Sequence, residues 1–152
     1  MIRNSGKLLL ALCLLVVGGG IVANAQVDTV PQIDVKVPFA FVVGDTRLPA
    51  GSYEIRTPED TSPDILEIRS VDRRTAVIFD TQSAQTRNDQ VENKTELIFD
   101  KVGDQYFLSQ IWVAGTASGS ELPRSRMEKR LASGNIQPER HSVVAVLRRL
   151  KP

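Results

Sequence analysis

Two side chains able to act as base or nucleophile occur once each in the 152-residue chain: His141 is its only histidine and Cys13 its only cysteine. A single imidazole acts as a general base only where folding brings a nucleophile to it, and no Gly-x-Ser-x-Gly elbow is present to supply one. A hydrolase-type enzyme using His141, with a serine or acid drawn near by the fold, is therefore the enzymatic alternative, without a named nucleophile. A histidine-cluster metal site cannot be built within one such chain. Glu59, Asp60 and Asp64 fall in one polar loop but lack the spacing and central glycine of a calcium loop. Glu54 and Glu67 each stand two residues from an arginine, Arg56 and Arg69, and no acid pair stands out for glycoside chemistry. After the first 25 residues the glycines occur singly, which leaves no phosphate-cradling loop. Arg124, Arg126, Lys129 and Arg130 could form an anion or membrane-surface patch, but charge runs of this kind ordinarily decorate a solvated helix face. No catalytic, cofactor-binding or metal-binding residue is assigned on these grounds, and no cofactor is expected.

The first 25 residues read as a signal peptide. Arg3 and Lys7 give the positive start, Leu8 to Val17 the apolar core, and Ala23-Asn24-Ala25 the small-residue cleavage site. A spanning helix needs about 20 apolar residues, whereas this run breaks at Gly18-Gly19-Gly20. Cleavage near Ala25 would give an exported chain, periplasmic or secreted, with no stable membrane insertion and a single β domain over 26–152. A lipoprotein reading would acylate Cys13, but Leu12 is large where a small residue is wanted and little apolar sequence precedes it. Removal of the leader also removes the only thiol, so disulfides, thiolate metal sites and a cysteine nucleophile drop out together. The leader holds two of the 19 basic residues and none of the 18 acidic ones, which leaves the mature side chains one charge negative. That balance gives no general attraction to nucleic acid or anionic lipid.

The elements that must position any site are strands. Ile33, Val35, Val37, Phe39, Phe41 and Val43 occupy every second position, the mark of a strand with one face buried. Pro38 cannot donate to a ladder, which predicts an edge strand or a bulge there. Leu48-Pro49-Ala50-Gly51 has the proline and glycine of a type I turn, and Tyr53 and Ile55 follow on a returning strand. Ile65 to Val71 and Thr75 to Phe79 form a hairpin about Asp72-Arg73-Arg74. The continuous run Ala76 to Phe79 predicts a central strand buried on both faces. Thr81 to Lys94 is polar and aperiodic, an exposed connection.

Thr95 to Asp100 and Gln105 to Val113 form a second hairpin, with Tyr106, Leu108 and Trp112 expected on one face and Phe107, Ile111 and Val113 on the other. Trp112 is read as packing rather than as a stacking platform. Ala114 to Ser120 reads as small and flexible. Ser125 to Ser133 is the one helical segment: Ser125 with Glu128 fits a capping box, Met127 and Leu131 share a face, and Gly134 stops it. His141 opens the last strand. The expected fold is all-β, an antiparallel sandwich or small barrel of about seven strands with one short helix before the last strand. Its core should include Phe39, Phe41, Tyr53, Ile68, Ile78, Phe99, Leu108, Trp112 and Val146.

Pro38-Phe39-Ala40-Phe41, Leu48-Pro49-Ala50-Gly51-Ser52-Tyr53, Gly103-Asp104-Gln105-Tyr106-Phe107-Leu108, Trp112 and Glu121-Leu122-Pro123 together carry a resemblance. The chain resembles a group of small exported bacterial β proteins of unknown function over most of its mature length. The resemblance implies a shared β fold and export, and it carries no activity or site residue onto this sequence. The functional expectation is an exported, non-catalytic binding or interaction domain whose ligand is a protein partner or a small apolar molecule.

Overall fold

The computed structural model describes residues 31–85, 92–134 and 137–149; the leader expected over 1–25 lies outside them. Among the described residues the fold is mostly β, a nearly closed barrel-like sheet of eleven strands with one short helix. The strands are β1 (Pro31–Val37), β2 (Phe41–Val43), β3 (Thr46–Leu48), β4 (Gly51–Arg56), β5 (Ile65–Ser70), β6 (Ala76–Asp80), β7 (Gln82–Gln85), β8 (Glu96–Val102), β9 (Gln105–Trp112) and β10 (Ser118–Glu121). Helix α1 (Arg126–Ala132) and strand β11 (Glu139–Arg149) complete the order. Across the sheet the strands run β3-β2-β9-β8-β11-β1-β4-β5-β6, and β10 joins β9 to β7. Pairing is antiparallel except between β2 and β9, which run parallel at Phe41↔Tyr106 and Val42↔Phe107.

The expected seven strands are too few, and proline explains part of the difference. The alternating run Ile33 to Val43 is two strands. Its first half, β1, lies between β11 and β4, and its second half, β2, lies between β3 and β9. Pro38 therefore marks neither an edge nor a bulge. It stands where one ladder ends and the chain crosses to the other side of the barrel, a place where a missing N–H costs nothing. Pro49 marks a second crossing, from β3 to β4, which are not partners. The Tyr53 hydroxyl donates to the Pro49 carbonyl at 2.6 Å and holds this corner. Between the two crossings Gly44, at φ +57°, turns the β2–β3 hairpin.

The other uncounted strands are β7 and β10, built from Gln82-Ser83-Ala84-Gln85 and Ser118-Gly119-Ser120-Glu121. Both read as loop in the sequence, because they lack the apolar alternation that announces a strand. They pair with each other, and β10 also pairs with β9. Residues 86–91 of the expected loop lie outside the described ones.

β11 belongs to both halves of the barrel. Glu139 to Val144 pair with β8, and Ala145 to Arg149 pair with β1. At the changeover the Ala145 N–H donates to the Thr95 carbonyl at 2.8 Å.

The β8–β9 register shifts between Ile98 and Phe99, which face Gln110 and Leu108, so Ser109 is the extra residue of a bulge. The shift changes which residues share a face. Leu108 and Ile111 both enter the main core, Phe107 packs beneath α1, and Trp112 joins a separate cluster with Ala84 and Ile98. Tyr106, Leu108 and Trp112 therefore do not share one face as simple alternation predicts. The bulge is held on both strands: Ser109 Oγ donates to the Ile98 carbonyl at 3.2 Å, and the Ser109 carbonyl accepts from the Leu122 N–H at 2.8 Å.

The main core fills the space between the strands. Phe41 meets Tyr53 and Phe99 edge-on with ring centroids 5.2 and 5.4 Å apart, and Val37, Ile55, Ile68, Leu97 and Leu108 close around them. Phe39 is half-buried and stacks on Tyr106 at 3.9 Å. Two expected core residues are corrected. Ile78 and Val146 are 64% and 66% exposed, because their strands are buried on one face only. On β6 the inward residues are Val77 and Phe79, and on β11 they are Val143, Ala145 and Leu147. β6 is accordingly not central; it ends the strand order.

Helix α1 matches the expected segment within a residue at each end. Ser125 caps it, accepting from the Glu128 N–H at 3.0 Å, and Met127 and Leu131 pack on Val42, Val102 and Phe107.

Candidate functional site

His141 lies on β11 opposite Phe99 and faces inward near one end of the barrel. The Tyr106 ring stands edge-on at 5.3 Å and a Glu139 carboxylate oxygen lies 3.4 Å from Nε2. The next residue, Ser142, is exposed on the opposite face of the strand. Among the described residues no serine or threonine hydroxyl is hydrogen-bonded to His141.

The other residues singled out by sequence are also dispersed. Among the described residues no group of three ligands could hold a metal ion, and Asp64 instead serves the loop by accepting at its carbonyl from the Thr81 N–H and hydroxyl. Trp112 is a packing residue. Its indole N–H donates to Gln110 Oε1 at 3.2 Å, and its ring lies so close to Gly119 that a Cβ there would stand 2.7 Å away. Beside it a groove of about 540 Å³ is walled mostly by polar side chains, including Glu96, Gln110 and Arg140.

The cations before and along α1 divide. Arg124 approaches the buried Glu128 carboxylate at 3.4 Å, while Arg126 and Lys129 are exposed along a groove of about 390 Å³. The opposite lining of that groove is Ile78, Phe79 and Asp80 of β6, with Gly44 and Asp45 nearby. Of the buried carboxylates among the described residues, Glu67 and Glu128 differ in kind. Burial pushes Glu67 up, but the Arg69 and Arg56 guanidiniums, at 2.6 and 3.0 Å, outweigh it and hold the group below the usual carboxylate range. Burial pushes Glu128 up, and Arg124 with the Ser125 N–H and Lys129 does not offset it, because Asp100 adds repulsion.

The feature that chain order alone did not reveal is the outer edge of β6. Its ladder with β5 runs from Ile65↔Asp80 to Arg69↔Ala76 without a shift. Beyond each end, Thr81 donates to the Asp64 carbonyl and Ser70 donates to the Thr75 carbonyl. Antiparallel bonding alternates, so Thr75, Val77, Phe79 and Thr81 turn their backbone groups toward β5. Ala76, Ile78 and Asp80 turn theirs away. Among the described residues no strand pairs with that side of β6. The strand carries no lysine, proline or bulge, its middle outward residue is an exposed isoleucine, and Leu122 to Lys129 flank that side across the groove.

No family model, curated protein or solved structure matches the chain. Among the described residues no helix is long and apolar enough to cross a membrane.

Proposed function

We propose that the protein is an exported, non-catalytic interaction module that engages its partner through an outer edge of its sheet. The observation that carries this reading is the unpaired β6 edge, three residues with both backbone groups turned outward and an apolar side chain at the centre. Strand addition at such an edge gives affinity through main-chain hydrogen bonds and needs no pocket. The filled interior favours the edge over a carried apolar ligand, since Phe41, Tyr53, Phe99 and their neighbours occupy the space that a ligand-bearing barrel leaves open. Export rests on the leader and on the resemblance to small exported β proteins.

Native mass spectrometry of protein recovered from producing cells tests the reading. The expected species begins at Gln26, carries no lipid, and appears as the chain alone or as a protein complex. A bound apolar small molecule, or a hydrolytic activity that His141→Ala abolishes without loss of stability, overturns the module reading. A mass that includes the leader or an acylated Cys13 overturns the cleavage.

A further inference from the structure

We propose that the groove beside Trp112, on the outer face of β8 and β9, binds a neutral oligosaccharide. It shares no residue with the groove along β6, so the inference goes beyond the edge reading and does not rest on it.

Strand register builds the groove. Glu96 and Ile98 alternate with the core residues Leu97 and Phe99, which sets them on the outer face of β8, opposite Trp112 and Gln110 of β9. Arg140 joins the same face from β11, where it is paired with Asp100. One side is raised by β7, because Ala84 packs on Ile98 and Trp112 and so brings Gln85 to the rim. Glu92 closes another side. Its N–H donates to the Thr116 carbonyl and its carbonyl accepts from the Gly115 N–H, both at 2.9 Å, which ties it to the turn after β9. The volume of about 540 Å³ falls within the roughly 300 to 1,000 Å³ of ordinary ligand sites.

The polar groups are held in place before any ligand arrives, which lowers the ordering cost of binding. Lys94 Nζ lies 2.8 Å from Glu96, whose side chain is only 12% exposed. The Trp112 indole donates to Gln110 Oε1 and orients that amide, and its N–H donors are turned to no other side chain among the described residues. Arg140 stands 3.8 Å from Asp100, too far for a hydrogen bond, so its fork remains able to donate. Gln85 and Gln110 supply donors and acceptors together, while Glu92 and Glu96 supply acceptors. Charge nearly cancels, with Lys94 and Arg140 set against Glu92, Glu96 and Asp100. An ionic ligand gains most where one sign dominates, and neither does here. A polyhydroxylated ligand uses both kinds of group, and planar amides, carboxylates and guanidiniums can each meet two adjacent hydroxyls. Ile98 and the edge of the buried Trp112 give the floor an apolar strip for the C–H face of a sugar ring.

NMR titration of isotope-labelled protein tests the proposal, because Trp112 is the only tryptophan and gives a single indole signal at the groove. The probes are maltohexaose, cellohexaose and chitohexaose, with diglycine as the charged control. At least one sugar should move the indole signal and the Gln85 and Gln110 amide signals saturably, with half-saturation at roughly 0.1 to 1 mM, as befits a short ligand held mainly by hydrogen bonds. Added salt should leave that value unchanged, since no ion pair is formed. Arg140→Ala should weaken binding about tenfold and Gln85→Ala about threefold, with thermal unfolding confirming that each variant is folded. No movement with any of the three sugars overturns the proposal. Movement that neither variant weakens overturns the groove as its place. Saturation by diglycine alone, weakened by salt, overturns the neutral ligand and makes the groove a site for a zwitterion. The Ile78 and Arg126 backbone signals report on the β6 groove separately, so failure here leaves the edge reading standing.

Discussion

Glu67 and Glu128 are both buried, yet they should give stability opposite dependence on pH. Glu67 is held below the usual carboxylate range by Arg69 and Arg56 against the push of burial. Its contribution is present above the ordinary carboxylate value and is lost as the pH falls through the lowered one. Glu128 is pushed above that range by burial, so the fold favours its neutral form. Its contribution is complete below the ordinary value and is lost as the pH rises through the raised one. Glu67→Gln should therefore lower the thermal midpoint at pH 7, with the deficit closing in acid, while Glu128→Gln should raise it at pH 7 and make no difference near pH 4. Thermal denaturation across pH checks both. The sequence made the Ser125–Glu128 cap legible because capping is local. It could not show that the same glutamate lies beneath α1 near Asp100, since that depends on a strand more than 20 residues away.

At the scale of elements, alternation located most strands and failed where the backbone departs from regular pairing. The Ser109 bulge reassigns Phe107 and Trp112, and nothing in Phe107-Leu108-Ser109-Gln110 declares it. β6 was misplaced for another reason: Ala76-Val77-Ile78-Phe79 looks the same whether its outer face is covered or bare, and only the strand order distinguishes the two. β7 and β10 lack the apolar alternation that announces a strand, and in β10 small size serves packing rather than turning. Gly119 is small because Trp112 lies against it, and a Cβ there would also stand 2.8 Å from the Ile111 carbonyl. Gly119→Ala should cost about 1 to 3 kcal/mol, the usual penalty for overpacking, and chemical denaturation should show a lower midpoint. An unchanged midpoint would mean that β10 can move off β9 freely.

The whole molecule depends on one core reached from almost every strand. Phe41 is its clearest test because it is fully buried and lies just past the Pro38 crossing, between aromatic rings from β4 and β8. Phe41→Ala should cost about 3 to 5 kcal/mol, a large share of a domain's stability, measurable as a fall in denaturation midpoint. The mostly β class and the short helix were legible in the pattern of apolar residues. The path through the barrel was not, because the period of two says which face a residue takes and never which neighbour a strand chooses.

β11 adds a consequence in time. It is the last described strand to leave the ribosome, yet it stands in the middle of the sheet, joining β8 to β1. Pairing between Ile33 and Leu147 spans most of the described chain. Until that strand arrives, β1 and β8 each have an open flank and the barrel has two separate halves. Contacts so distant in sequence slow folding, so the sheet should stay unfinished until β11 has been made, and the early chain must be kept from pairing its open β1 and β8 flanks wrongly.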